Sequence, residues 1–162
     1  MTWVQGSHER TFEVEAPLEE VARFLSDPSQ VRHCMVDLEK GEEIDDQTWR
    51  WTLEEVGAKN ITFQGIYTVR YERDGDVVTW ESVDDEGDTM RTEGRAELEA
   101  VDEETTRVDY EETITSDLPI PKLARRVFRP IARREVRKGV DAYVDAVISH
   151  LNAGRHRGDE SS

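Results

Sequence analysis

Charged residues that keep step with apolar ones are where this chain could do chemistry. Arg10 alternates in phase with Phe12 and Val14, Glu112 with Tyr110 and Ile114, and Glu55 with Trp51 and Leu53. Alternate residues of a strand share a face, so each of these charges is expected on the apolar side of a sheet. A lone charge there costs several kcal/mol, so each must be paired, hydrogen-bonded or placed at a wet strand end. Arg133 and Arg137 pose the same question on a helix, within or beside the arc of Val136, Val140 and Val144. Two outcomes stand open: ion pairs that serve packing alone, or polar anchors that grip a ligand's head group. Glu112 beside Tyr110 also has the make-up of an acid/base pair.

Other chemistries are poorly supplied. His8, His33, His150 and His156 show no metal-ligand spacing, and the single cysteine, Cys34, excludes an intrachain disulfide and a multi-cysteine site. Adjacent residues seldom face each other, which argues against a His33–Cys34 nucleophile pair. The glycines are scattered and form no phosphate-cradling loop. No cofactor and no metal are expected.

These residues must be positioned by strands and one closing helix. Alternation marks strands over 8–16, 38–44, 48–56, 60–73, 77–83, 89–101 and 106–115, with the Asp74-Gly75 pair as a hairpin signal. Pro17 and Asp27-Pro28 bracket two short helices after the first strand. Val136, Val140, Tyr143, Val144, Val147 and Leu151 then recur at three- and four-residue steps, one face of a long helix over 131–152. Pro130 predicts a break between it and a short helix near 121–129. The expectation is an α+β domain over 1–152, a seven-stranded curved antiparallel sheet wrapped on its greasy face around the terminal helix. A disordered polar tail is expected over 153–162.

Composition limits the partners. The chain has 162 residues, 21 Lys+Arg against 37 Asp+Glu, and a net charge of −16. Ten of the basic groups and only five of the acidic ones lie in 122–162, so an acidic body carries a basic helix. That balance argues against nucleic acid, and the abundant carboxylates suit a salty cytoplasm, where screening removes self-repulsion. The basic run 122–138 would complement the acidic sheet, or make transient contact with an anionic membrane or an acidic protein. No apolar run reaches the length of a membrane span, and a cytoplasmic protein is expected.

The order β, α, α, six β, α, with FEVEAPLEEVARFLSDPSQV (12–31), NITFQGIYTVRYER (60–73), MRTEGRAELE (90–99) and TTRVDYEETI (105–114), resembles the START-like superfamily of Bet v 1-type helix-grip proteins, or SRPBCC. Its nearest branches are the CoxG-like and polyketide-cyclase-like ones. The resemblance spans about residues 7–151. It implies a deep apolar cavity between sheet and long helix, used for lipids, quinones, sterols or polyketides, and makes the first and last strands neighbours, so that Arg10 and Glu112 could pair. It further implies that Phe12, Trp51, Phe63, Tyr67, Trp80, Met90, Tyr110, Phe128, Val136 and Val140 line that cavity, with Arg10, Glu112 and Arg133 as polar contacts. A lipophilic small molecule, a lipid or an isoprenoid quinone, is the implied partner, bound without chemistry. The alternatives are a cyclase/dehydratase-like enzyme and a docking module acting through the basic helix.

Overall fold

The computed structural model describes residues 2–160 except Lys59 and Asp84. The elements are β1 (Thr2–Val14), α1 (Leu18–Leu25), α2 (Pro28–Val31), β2 (Leu38–Glu43), β3 (Thr48–Leu53), β4 (Val56–Ala58), β5 (Ile61–Phe63), β6 (Ile66–Asp74), β7 (Val77–Ser82), β8 (Met90–Asp102), β9 (Thr105–Leu118) and α3 (Arg125–Glu160). Seven strands form one antiparallel sheet in the order β1-β9-β8-β7-β6-β3-β2, and β4 pairs with β5 in a separate arm. The helix-grip architecture expected from the strand count and the long terminal helix is what the chain adopts, with β1 and β9 paired along their whole length.

The inward parity of the strands builds the core. Val14, Trp51, Val69, Val78, Ala96 and Val108 are fully buried, and Val136, Val140, Val144, Val147 and Leu151 press α3 onto them. Gly6 is where helix and sheet meet most closely. A methyl group added there would lie 2.9 Å from Val136 Cγ2 and 3.1 Å from the Ala132 carbonyl oxygen. Only the absence of a side chain lets α3 run beside β1.

Three boundaries differ from the sequence expectation. First, β1 begins at Thr2, since Thr2 and Val4 continue the inward alternation and Thr2 Oγ1 donates to the Ile120 carbonyl at 2.7 Å. Second, the stretch 60–73 is broken. Asn60 takes a left-handed φ of 66°, Ile61–Phe63 pairs with Val56–Ala58, and the main ladder resumes at Ile66. At Gly65 a side chain would overlap Met90 Sδ, so the chain bends over that methionine. Glu55 consequently lies outside any strand and is exposed. Third, α3 passes through Pro130 unbroken and is preceded by a 3-10 turn at Lys122–Ala124. Pro130 stands just over one turn from the helix start on an exposed face, so its one missing hydrogen bond leaves a carbonyl that water can reach. The helix runs past residue 152 into the stretch where disorder is expected, and Ser161 and Ser162 lie outside the described residues.

Gly6→Ala is expected to lower unfolding free energy by about 1–3 kcal/mol, because Val136 and the helix backbone must both give way. Urea unfolding would measure it, with Gly139→Ala as the contrasting control, where a new methyl meets nothing and helix propensity should add up to about 1 kcal/mol.

Candidate functional site

The site grows from one side chain that crosses a strand. Trp80 on β7, Gly94 on β8 and Glu112 on β9 are register partners in adjacent strands. The Trp80 indole lies over Gly94, where a Cβ would overlap it, and so reaches the next strand but one. There Trp80 Nε1 donates to Glu112 Oε2 at 2.9 Å. Thr92 Oγ1 donates to the same oxygen at 2.7 Å, and the Tyr110 hydroxyl donates to Oε1 at 3.2 Å. Burial pushes the Glu112 carboxyl above its ordinary range, and the donors from Thr92, Trp80 and Tyr110 pull the other way without cancelling it. Burial likewise holds the phenols of Tyr67, Tyr110 and Tyr143 well above normal, with neighbouring phenols and Glu112 adding to it.

This carboxyl lies in the wall of a cavity of about 410 Å³ between the sheet and α3. Tyr67, Tyr71, Trp80, Met90, Tyr110 and Ile114 supply its sheet side, Phe63 of β5 its arm side, and Val140 and Tyr143 its helix side. The rim carries Asp37, Glu54, Glu135 and Lys138, and the β4–β5 arm adds Val56, which is 55% exposed. The left-handed turn at Asn60 and the bend at Gly65 are what split this arm from the sheet beside the cavity.

Of the residues expected here, the fold brings together Phe63, Tyr67, Trp80, Met90, Tyr110, Glu112 and Val140. The others sit elsewhere. Phe12 is core, 6.4 Å from the Tyr110 ring, and Trp51 is wholly buried, donating to the Tyr71 hydroxyl at 3.2 Å. Val136 packs at Gly6, Phe128 is half-buried away from the cavity, and Arg133 is exposed in a groove on another side of α3. The Arg10–Glu112 pair does not form. Arg10 stands opposite Tyr110 and reaches α3, 2.8 Å from Asp145 and 3.5 Å from Asp141, where His8 also bonds Asp141 at 2.9 Å. An arginine is long enough to leave the sheet for the helix edge, whereas Glu112 is held by its strand neighbours. Thr92, Tyr71 and Tyr143 lie at inward positions of β8, β6 and α3. Their periodicity is visible in the sequence, but nothing there marks them as neighbours of Glu112.

Cys34 is buried and its thiol is pushed up to about 11 by desolvation, so it is no nucleophile. Among the described residues no group of three His, Cys, Asp or Glu could hold a metal, and no helix is long and apolar enough to cross a membrane.

Residues 5–151 match the family described as polyketide cyclase / dehydrase and lipid transport. The chain belongs to that family. Its fold recurs in the ZhuI aromatase/cyclase of Streptomyces sp. R1128, at 17% identity and a TM-score of 0.69, covering 91% of this chain and 93% of that one. It recurs in a START superfamily protein of Mycobacterium smegmatis, at 12% identity and a TM-score of 0.66, covering 91% and 97%. Norcoclaurine synthase of Thalictrum flavum, solved with dopamine and hydroxybenzaldehyde, shares it at 13% identity and a TM-score of 0.59, covering 92% and 87%. No curated protein matches the chain. The family match and the shared helix-grip fold bear out the START-like resemblance expected from the motifs.

The raised carboxyl gives a signed pH dependence. The folded state holds the Glu112 proton to higher pH than the unfolded chain, so ionising it costs stability as pH rises from the usual carboxylate range through the raised value. Glu112→Gln keeps the shape and hydrogen-bonding capacity without the charge. As pH rises from the usual carboxylate range the variant is expected to gain stability relative to the parent, measured by urea unfolding at each pH.

Proposed function

We propose that the protein binds a lipophilic small molecule in the cavity between the sheet and α3, with Glu112 as the polar contact for the ligand's head group. The carrying observation is the enclosure of one hydrogen-bonded carboxyl within an otherwise largely aromatic and aliphatic lining. Such a lining sets affinity through apolar contact, and a few placed polar groups set orientation. Burial favours the protonated form of Glu112, which offers an O–H to a ligand acceptor. The carbonyl of an isoprenoid quinone or of a fatty acyl chain has that chemistry. The family's lipid-transport description supports the carrier reading.

A second reading is favoured by one specific observation. Glu112 and Tyr110 stand 3.2 Å apart in the same cavity, and the carboxyl has a raised pKa. That is the equipment of an acid/base catalyst of the polyketide cyclase/dehydratase type. Turnover of an aromatic polyketide precursor, abolished in Glu112→Gln, would establish it over the carrier.

Native mass spectrometry with organic extraction, on protein taken from its own host, is expected to recover one apolar molecule per chain. Filling the cavity with Ile114→Phe is expected to weaken uptake of that molecule by about tenfold or more, through loss of room rather than of chemistry. A parent protein that is empty and also refuses quinones and fatty acids would overturn the carrier reading.

A further inference from the structure

A second concavity lies on the other side of α3. It is a groove of about 940 Å³ between the first half of β1, Trp3 to His8, and the start of the helix. Arg125, Arg129, Arg133 and Arg137 follow one another along it at four-residue steps. All are exposed, and among the described residues none of them makes an ion pair, although the chain carries 37 acidic groups. Four-residue steps turn through slightly more than one helical revolution, so the guanidinium groups form a stripe about 18 Å long.

The opposite wall of the groove is a sheet edge. β1 ends the sheet and pairs only with β9. Its register runs from Thr2 to Val14 without a bulge, and just beyond it the Glu15 N–H turns away from β9 to Asn152 of α3 at 2.8 Å. Counting back in twos, the N–H and C=O groups of Trp3, Gln5 and Ser7 point to this same free edge. The helix meets the edge near Glu15 through Asn152, whereas beside Arg133 it packs over the inward face of β1 at Gly6, and the groove opens next to that contact.

We propose that this groove takes an extended acidic segment of a partner protein as an added strand on β1. Alternate residues of an extended chain lie about 6.6 Å apart on one side, close to the roughly 6 Å between arginines four apart on a helix. Acidic residues at every second position would therefore face the stripe while the segment's backbone bonds the β1 edge. The arginines on the groove wall face β1, where a flat bilayer cannot follow. A second copy of this chain fits poorly. Symmetric pairing of two β1 edges brings both arginine stripes together, and unsymmetric pairing grows an open fibre.

The test uses the full chain and a fluorescein-labelled peptide alternating glutamate with threonine. Anisotropy at low ionic strength is expected to show binding that salt weakens and that drops by about tenfold or more in the Arg125→Glu, Arg129→Glu double variant. Circular dichroism checks that the variant folds. In the unaltered protein the peptide is expected to slow hydrogen exchange at the Gln5 and Ser7 amides, a readout that charge attraction alone does not move. Binding without that protection, or equal binding of a peptide with proline in place of threonine, overturns the added strand. Arginine-dependent binding to phosphatidylglycerol vesicles without peptide binding, or arginine-dependent self-association in sedimentation, overturns the acidic segment as occupant.

Discussion

The cavity of this protein rests on the hydrogen bond between the Trp80 indole and the Glu112 carboxyl across Gly94. A carboxyl inside an apolar wall is tolerable only when its lone pairs are met. Here an indole and a threonine meet them from the two neighbouring strands β7 and β8, and a tyrosine from the same strand two residues back. The indole can serve only because β8 offers a glycine between the two strands. The same step lays a flat aromatic surface along the cavity wall, so the group that satisfies the carboxyl also shapes the space around it.

Two further glycines adjust the frame on which this arrangement stands. Gly6 lets α3 approach β1 closely, and Gly65 lets the β6 region bend over Met90. The first contact presses one flank of the helix to the sheet edge, while the other flank stands away from the central strands and leaves the cavity. Arg10 belongs to the closed flank. With His8 it ties β1 to Asp141 and Asp145, and at 29% side-chain exposure it is a partly screened clamp worth little on its own. The ligand space and the arginine groove are therefore opposite consequences of one close approach, since a helix that hugs an edge strand leaves room on both of its sides.

The charge distribution fits this division. Arginines on the strands find acids on neighbouring elements, as Arg73 of β6 does with Glu19 of α1 at 2.6 Å and Arg50 of β3 with Asp88 at 3.4 Å. Arg125, Arg129, Arg133 and Arg137 of α3 have no such partners among the described residues. An acidic body that leaves its basic stripe unpaired holds a field of opposite sign on one face, which favours encounter with an acidic partner over neutralisation from within.

Much of the fold was legible in the sequence because it follows from two periods. Alternation marked the strands, and three- and four-residue steps marked the buried face of α3 from Val136 to Leu151, since burial selects apolar side chains wherever the backbone repeats. The same parity put Trp80, Met90, Tyr110 and Glu112 on the inward face. What alternation could not supply was register and reach. It placed Arg10 on the inward face of β1 but could not tell that its long side chain leaves for α3. It read 60–73 as one strand because a single left-handed residue at Asn60 and a bend at Gly65 leave the pattern intact. It read a break at Pro130, where exposure near a helix start makes the lost hydrogen bond tolerable. Which inward residues share a cavity, which merely fill the core, and which donors meet Glu112 depend on three strands lying side by side over a glycine. Those are contacts between residues far apart in the chain, and only the tertiary structure decides them.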